Sequence, residues 1–144
     1  MKLITLLLLF TVFPINWEPD FNTAKKIAKE KHELILLNFS GSDWCGPCIV
    51  LRKDYLESAV FTEMANENLI LVNADFPRKK KNTPTPEQVK RNEDLAEIYN
   101  KEGSFPLTLL LDPDGKVIKT WHGKPEISPE QWTTEIKNIC DSRK

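Results

Sequence analysis

The run Trp44-Cys45-Gly46-Pro47-Cys48 is where this sequence can do chemistry. Two cysteines with two residues between them can face each other across the first turn of a helix. At that spacing the Cβ atoms lie roughly 5–6 Å apart, and a modest adjustment brings the sulfurs to disulfide geometry. A helix that starts at Cys45 also turns its unpaired N–H groups and the positive end of its dipole toward that sulfur. Both effects favour the thiolate, the form that attacks. The pair reads first as a dithiol that exchanges disulfides. A static bridge and a metal-holding pair are the alternatives.

The other reactive side chains are sparse. Zinc needs four ligands, and Cys140, His32 and His122 form no second tight pair, so no metal site is expected. Copper(I) favours sulfur ligands but has no further ligand near the motif. Cys140 reads as a bystander, His32 and His122 as structural or exposed, and Trp121 and Trp132 as core. Arg78-Lys79-Lys80-Lys81 reads as a solvated loop, with the steering of an acidic partner as its functional alternative.

The elements that must position the dithiol can be read from periodicity. From Asp20 to His32, Phe21, Ala24, Ile27 and Ala28 recur at helical spacing. Leu34 to Phe39 is a nearly continuous apolar run, as a buried parallel strand requires. Ser40-Gly41-Ser42-Asp43 breaks it. Cys45 to about Glu57 then reads as a helix, which Ala59 to Asn66 extends after a break. Leu69 to Ala74 is a second buried strand, closing a right-handed βαβ unit.

Phe76 to Pro84 is polar and proline-bearing, hence a loop. Thr85-Pro86-Glu87-Gln88 is a capping-box pattern opening a helix to Tyr99 or Asn100. Leu107–Leu111 is a third strand, Asp112-Pro113-Asp114-Gly115 a turn, and Lys116–Trp121 an antiparallel partner. Ser128-Pro129-Glu130-Gln131 starts a last helix. The expected architecture is α/β, a central mixed sheet flanked by helices in the order α-β-α-β-α-β-β-α.

Size and composition fit one domain. The chain has 144 residues, 40% hydrophobic and 28% charged, with a net charge of −1. That balance gives no reason to expect nucleic acid as a partner. Three cysteines are too few for a disulfide-built scaffold. Lys2 followed by the uncharged apolar run Leu3–Phe13 suits a signal peptide and falls short of the roughly 20 residues of a spanning helix. Residues 1–16 are therefore expected to be an export leader and 17–144 the working domain. Pro14-Ile15-Asn16-Trp17 offers no small-residue cleavage site, which leaves an uncleaved anchor open.

With these elements in place, the sequence resembles the thioredoxin superfamily from about Asp20 to the C-terminus. The resemblance is carried by Trp44-Cys45-Gly46-Pro47-Cys48 at a strand-to-helix junction and by Phe105-Pro106 before the third strand. Phe39 to Cys45 is similar to secreted or periplasmic bacterial members. The resemblance implies a thioredoxin-like fold and a thiol–disulfide oxidoreductase that needs no bound cofactor. Cys45 would attack and Cys48 would resolve the mixed disulfide. Trp44, Gly46, Pro47, Phe105 and Pro106 would bind substrate, with Pro106 in the cis form.

The Gly46-Pro47 dipeptide resembles reducing members, whose potential lies near −270 mV. A reductase of protein disulfides outside the cytoplasm is the expectation. An oxidase, an isomerase or a non-catalytic module holding a client or metal ion remain alternatives. The implied partners are cysteine-containing client proteins and a membrane or soluble thiol electron donor, for a monomeric protein.

Two departures from the family pattern stand out. The strand residue that is a buried Asp in thioredoxins is Asn38 here, and an amide accepts no proton at physiological pH. Asp43 is expected to be solvated, so proton removal from Cys48 falls to water, to Glu57 or Asp75 if buried, or to the partner. The second departure is a loop insertion near 76–85.

Overall fold

Alternation along one strand organises the molecule. In the computed structural model, which describes residues 14–144, β1 (Leu34–Ser40) is buried along its whole length. Leu34 and Leu36 face one hydrophobic cluster, while Ile35, Leu37 and Phe39 face another on the opposite side. Period-2 alternation therefore sends Asn38 and Ser40 to the Leu36 side. Burial on both faces explains the continuous apolar run. The expected leader lies, through Phe13, outside the described residues.

The sheet has the order β2-β1-β3-β4. β2 (Leu69–Asp75) runs parallel to β1 with Asn38 opposite Asn73. β3 (Leu107–Leu111) is antiparallel to β1 with Thr108 opposite Asn38, and β4 (Val117–His122) is antiparallel to β3. The mixed α/β architecture expected from the sequence is the one found. Gly115, at φ 91°, closes the β3–β4 turn, and Asp112 accepts from the N–H groups of Asp114 and Lys116.

One face carries α1 (Phe21–Lys31) and α4 (Pro86–Tyr99), which bury Ala24, Ala28 and Leu95 against Ile35, Leu37 and Phe39. The other carries α2 (Gly46–Val50), α3 (Ala59–Asn68) and α5 (Pro129–Asp141), packed around Trp132 and Ile136. The single helix expected from Cys45 to Glu57 is α2 continued by a π turn, Leu51–Leu56, in which Glu57 N–H bonds Arg52 C=O at 2.9 Å. That turn buries Leu51, Tyr55 and Leu56 together, and Tyr55 donates to Ile127 C=O at 2.7 Å.

Ser128 and Gln131 make the full capping box expected of them. At α4 only half of one forms. Thr85 caps Gln88 N–H, but the Gln88 amide reaches Pro19 C=O and Asn92 instead. At the amino end, Glu18 N–H bonds Leu71 C=O at 2.7 Å, and Ile15 and Trp17 pack against the core. The segment around Trp17 and Glu18 thus runs along the open edge of β2.

Candidate functional site

The dithiol sits where β1 ends and α2 begins. Ser40-Gly41-Ser42-Asp43-Trp44 carries the chain out of the sheet, and Cys45 N–H bonds back to Gly41 C=O at 2.9 Å. Cys45 is the N-cap of α2, in extended conformation, and its Sγ accepts from Cys48 N–H at 3.3 Å. Pro47 in the first turn lacks an N–H where a helix has no use for one. The two sulfurs are joined in a disulfide, with the Cα atoms 5.2 Å apart. Cys45 is 6% and Cys48 2% exposed, so Cys45 is the outer member. Gly46 and Pro47, between them, are exposed.

Aromatic packing shapes the flank. The Trp44 ring meets Phe105 edge to face at 5.5 Å, and Phe105 meets Phe76 likewise at 5.6 Å. Trp44 Nε1–H donates to Phe76 C=O at 2.7 Å. Gly41 lies beneath the indole, where a Cβ would come within 2.3 Å of Trp44 Cε2. The Phe105-Pro106 bond is cis. Leu107 is paired with Phe39, so Pro106 lies beside the end of β1 from which the cysteine loop departs. Trp44, Phe105 and Pro106 are thus gathered at one corner, as the sequence expected.

Asp43 faces solvent, as expected from the sequence, but it is not free. It accepts from the backbone N–H groups of Arg78 and Lys79 and from the Asn82 amide, each at 2.9 Å. These bonds, led by that from Arg78, hold its carboxyl below the ordinary value. Asp43 therefore fastens the 76–85 segment to the cysteine loop. The Arg78 guanidinium lies 3.8 Å from the Trp44 ring centre, a stacked cation–π contact.

On the Leu36 side of β1, Asn38 is 4% exposed and each of its polar side-chain atoms has a partner. Its Nδ2 donates to Asn73 Oδ1 at 2.9 Å, and its Oδ1 accepts from Thr108 Oγ1 at 3.0 Å. Neither substitute acceptor named from the sequence is a buried free base. Asp75 is half-buried and bonded to the Ser42 N–H and hydroxyl, while Glu57 is exposed, 3.9 Å from Arg52. Asn38, Asp75, Arg52 and Glu57 all line one cavity of about 450 Å³.

Asn73, Thr108, Phe76 and the role of Arg78 were not singled out from the sequence. A signal for Asn73 existed: Leu36-Leu37-Asn38 and Leu71-Val72-Asn73 place an amide at the same step of two buried strands.

Cys140 is 4% exposed, and burial pushes its thiol up to about 11. His32 and His122 are exposed, Trp132 is fully buried and Trp121 packs against the same cluster. Among the described residues there is no cluster of metal-ligating side chains, and no helix long and apolar enough to cross a membrane.

The thioredoxin-like family profile matches residues 16–113. The chain belongs to the thioredoxin-like family. Outside that span this thioredoxin-like chain adds β4 and α5. It is 36% identical over 104 residues to the disulfide bond reductase DsbH of Chlamydia pneumoniae, covering 72% of this chain and 60% of that protein. It is 30% identical over 104 residues to the thioredoxin-related protein DsbJ of the same organism, covering 72% of this chain and 29% of that one. The matched span is thus less than two thirds of either relative. A solved structure of a DsbH oxidoreductase superposes with a TM-score of 0.82 at 28% identity, over 98% of this chain and 94% of that one. This thioredoxin-like chain is therefore a homologue of Dsb-type thiol–disulfide oxidoreductases.

Proposed function

We propose that the protein is a thiol–disulfide oxidoreductase that reduces disulfides of client proteins outside the cytoplasm. The observation that carries this reading is Cys45 at the N-cap of α2, the more exposed residue of a closed pair, accepting a backbone N–H from Cys48. In the reduced protein that donor and the helix N-terminus stabilise a Cys45 thiolate. The thiolate attacks a client disulfide, forms a mixed disulfide and releases one client thiolate. Cys48 then attacks Cys45 Sγ, releases the second client thiolate and leaves the pair oxidised.

In this reading Trp44, Phe105 and Pro106 form the apolar wall beside the attacking sulfur, and exposed Gly46 and Pro47 let an extended client segment approach. The Gly46-Pro47 dipeptide and the likeness to a protein named a disulfide bond reductase support the reducing direction. The Lys2-led apolar run through Phe13 and the Dsb-type relatives support export. An exported reductase draws its electrons from another thiol protein, so the second partner is a thiol donor.

Insulin reduction by the wild type and by Cys45→Ser tests the enzyme reading, since equal activity in both would end it. The direction is tested by the potential of the pair. A value near −270 mV supports a reductase, and one above about −180 mV makes the protein an oxidase or isomerase.

A further inference from the structure

The basic run Arg78-Lys79-Lys80-Lys81 is not a free tether. Asp43 holds its first two backbone N–H groups and Asn82 just beyond it, and Lys80–Asn82 forms a turn of 3-10 helix. Trp44 Nε1–H fixes Phe76, two residues before the run. The Arg78 guanidinium rests 3.8 Å from the ring centre of Trp44, the residue directly before the nucleophile. The loop is thus clamped on the rim of the dithiol.

Its charge is only partly offset. All four cations are exposed, and among the described residues none lies within ion-pair distance of a carboxylate. Asp43 carries a negative charge beside the loop, but it faces four cations and leaves the rim positive. Trp44 to Cys48 carries no charge, and the whole chain has a net charge of −1. A concentrated positive field therefore stands beside an uncharged active site on a slightly acidic molecule.

Resting on the oxidoreductase reading above, we infer that this clamped basic rim selects client segments with acidic residues flanking the reacting cysteine. The client's cysteine meets Cys45, its chain passes Trp44, and its Asp or Glu side chains meet Arg78 and the lysines beyond. Neighbouring Cα atoms are about 3.8 Å apart and an extended chain advances roughly 3.3–3.6 Å per residue. The acidic positions are those near enough along the client chain for their carboxylates to reach Arg78, the cation seated on Trp44. Exposed ion pairs add little affinity singly, so the rim acts on the encounter rate through its summed field.

The test uses disulfide-bonded peptides that differ only in the flanks of the cysteine, Glu-rich or Gln-rich, offered to the dithiol form of the protein. Each turnover converts the protein dithiol and the peptide disulfide into the protein disulfide and the peptide dithiol. The ratio of the two second-order rate constants is read, so a change in overall activity leaves the comparison intact. The expected ratio is about tenfold in favour of the Glu peptide at low salt, collapsing toward unity at about 0.5 M salt as the charges are screened. The same ratio is expected to fall in the Lys80→Gln, Lys81→Gln double variant.

Efficient reduction of both peptides with no preference overturns the inference and leaves the oxidoreductase reading standing. Failure to reduce either peptide overturns both. Retention on phosphatidylglycerol vesicles without a peptide preference overturns it in favour of a membrane-surface role.

Discussion

Asn38 and Asn73 lie directly opposite each other on parallel strands and share a 2.9 Å hydrogen bond, beneath the helix that carries the dithiol. With Thr108 donating to Asn38 Oδ1, the three side chains form one neutral row across the buried sheet. Each polar atom at the centre of that row has a partner, so Asn38 sits at little cost in an otherwise apolar run. It also follows that the group beneath the cysteines neither gains nor loses a proton in the working pH range.

Asn38→Asp is expected to destabilise the protein by about 2 kcal/mol at pH 7, because a buried carboxylate replaces a neutral, fully bonded amide. Burial raises such a carboxyl above its unfolded value of about 3.9. A raised value means that the fold prefers the protonated form, so the penalty grows as pH rises through that range and fades below it. Urea titrations at pH 7 and pH 3.5 check this. A larger penalty at the lower pH would count against the buried neutral row.

Asp43 provides the opposite sign. Hydrogen bonds, first from Arg78 N–H, hold its carboxyl below the ordinary 3.8. The clamp on the 76–85 loop is therefore complete above that value and lost as pH falls through the lowered one. Trp44 fluorescence, sensitive to the stacked Arg78, is expected to change below pH 3.8 in the wild type. In Asp43→Asn the released state is expected already at neutral pH, together with fast amide exchange at Arg78 and Lys79. Unchanged exchange there would remove Asp43 as the fastener.

Gly41→Ala tests how the indole is seated. The added Cβ would stand 2.3 Å from Trp44 Cε2, so the ring must move and give up its bond to Phe76 C=O. A loss of about 1–3 kcal/mol in stability is expected, with an altered near-ultraviolet circular dichroism signal and slower insulin reduction. A variant with unaltered signal and rate would show that Trp44 has no fixed seat over Gly41.

Much of this was legible in the sequence because the signals were local. Continuous apolar runs gave both central strands, and a motif gave the dithiol with its cis-proline neighbour. Ser128 with Gln131 gave the last helix start. The π turn at Leu51–Leu56 was not legible, because helical periodicity assumes an i→i+4 ladder throughout. The fastening role of solvent-facing Asp43 is not legible either, because its partners stand 35 residues or more away. No local pattern reports a carboxylate that anchors a distant loop. The Asn38 row depends on strand register, which sets neighbours only after the sheet is assembled.

Cys140 should be chemically silent. Its thiol is buried and pushed up to about 11, so it carries little thiolate at neutral pH. Cys140→Ala is expected to keep full insulin-reducing activity and to lower stability by about 1 kcal/mol, because a small buried side chain is removed. In the native Cys45→Ser, Cys48→Ser double variant, iodoacetamide should leave Cys140 unmodified until denaturant is added. Rapid labelling of the native variant would place a third working thiol in the protein.

The direct test of the central claim is trapping of the mixed disulfide. With a peptide disulfide as client, Cys48→Ser should accumulate a covalent adduct on Cys45, visible by intact-mass spectrometry and released by dithiothreitol, whereas Cys45→Ser should accumulate none. Adduct on Cys48 in the Cys45→Ser variant, at a rate equal to that of the Cys48→Ser reaction, would contradict the assignment of Cys45 as the attacking sulfur.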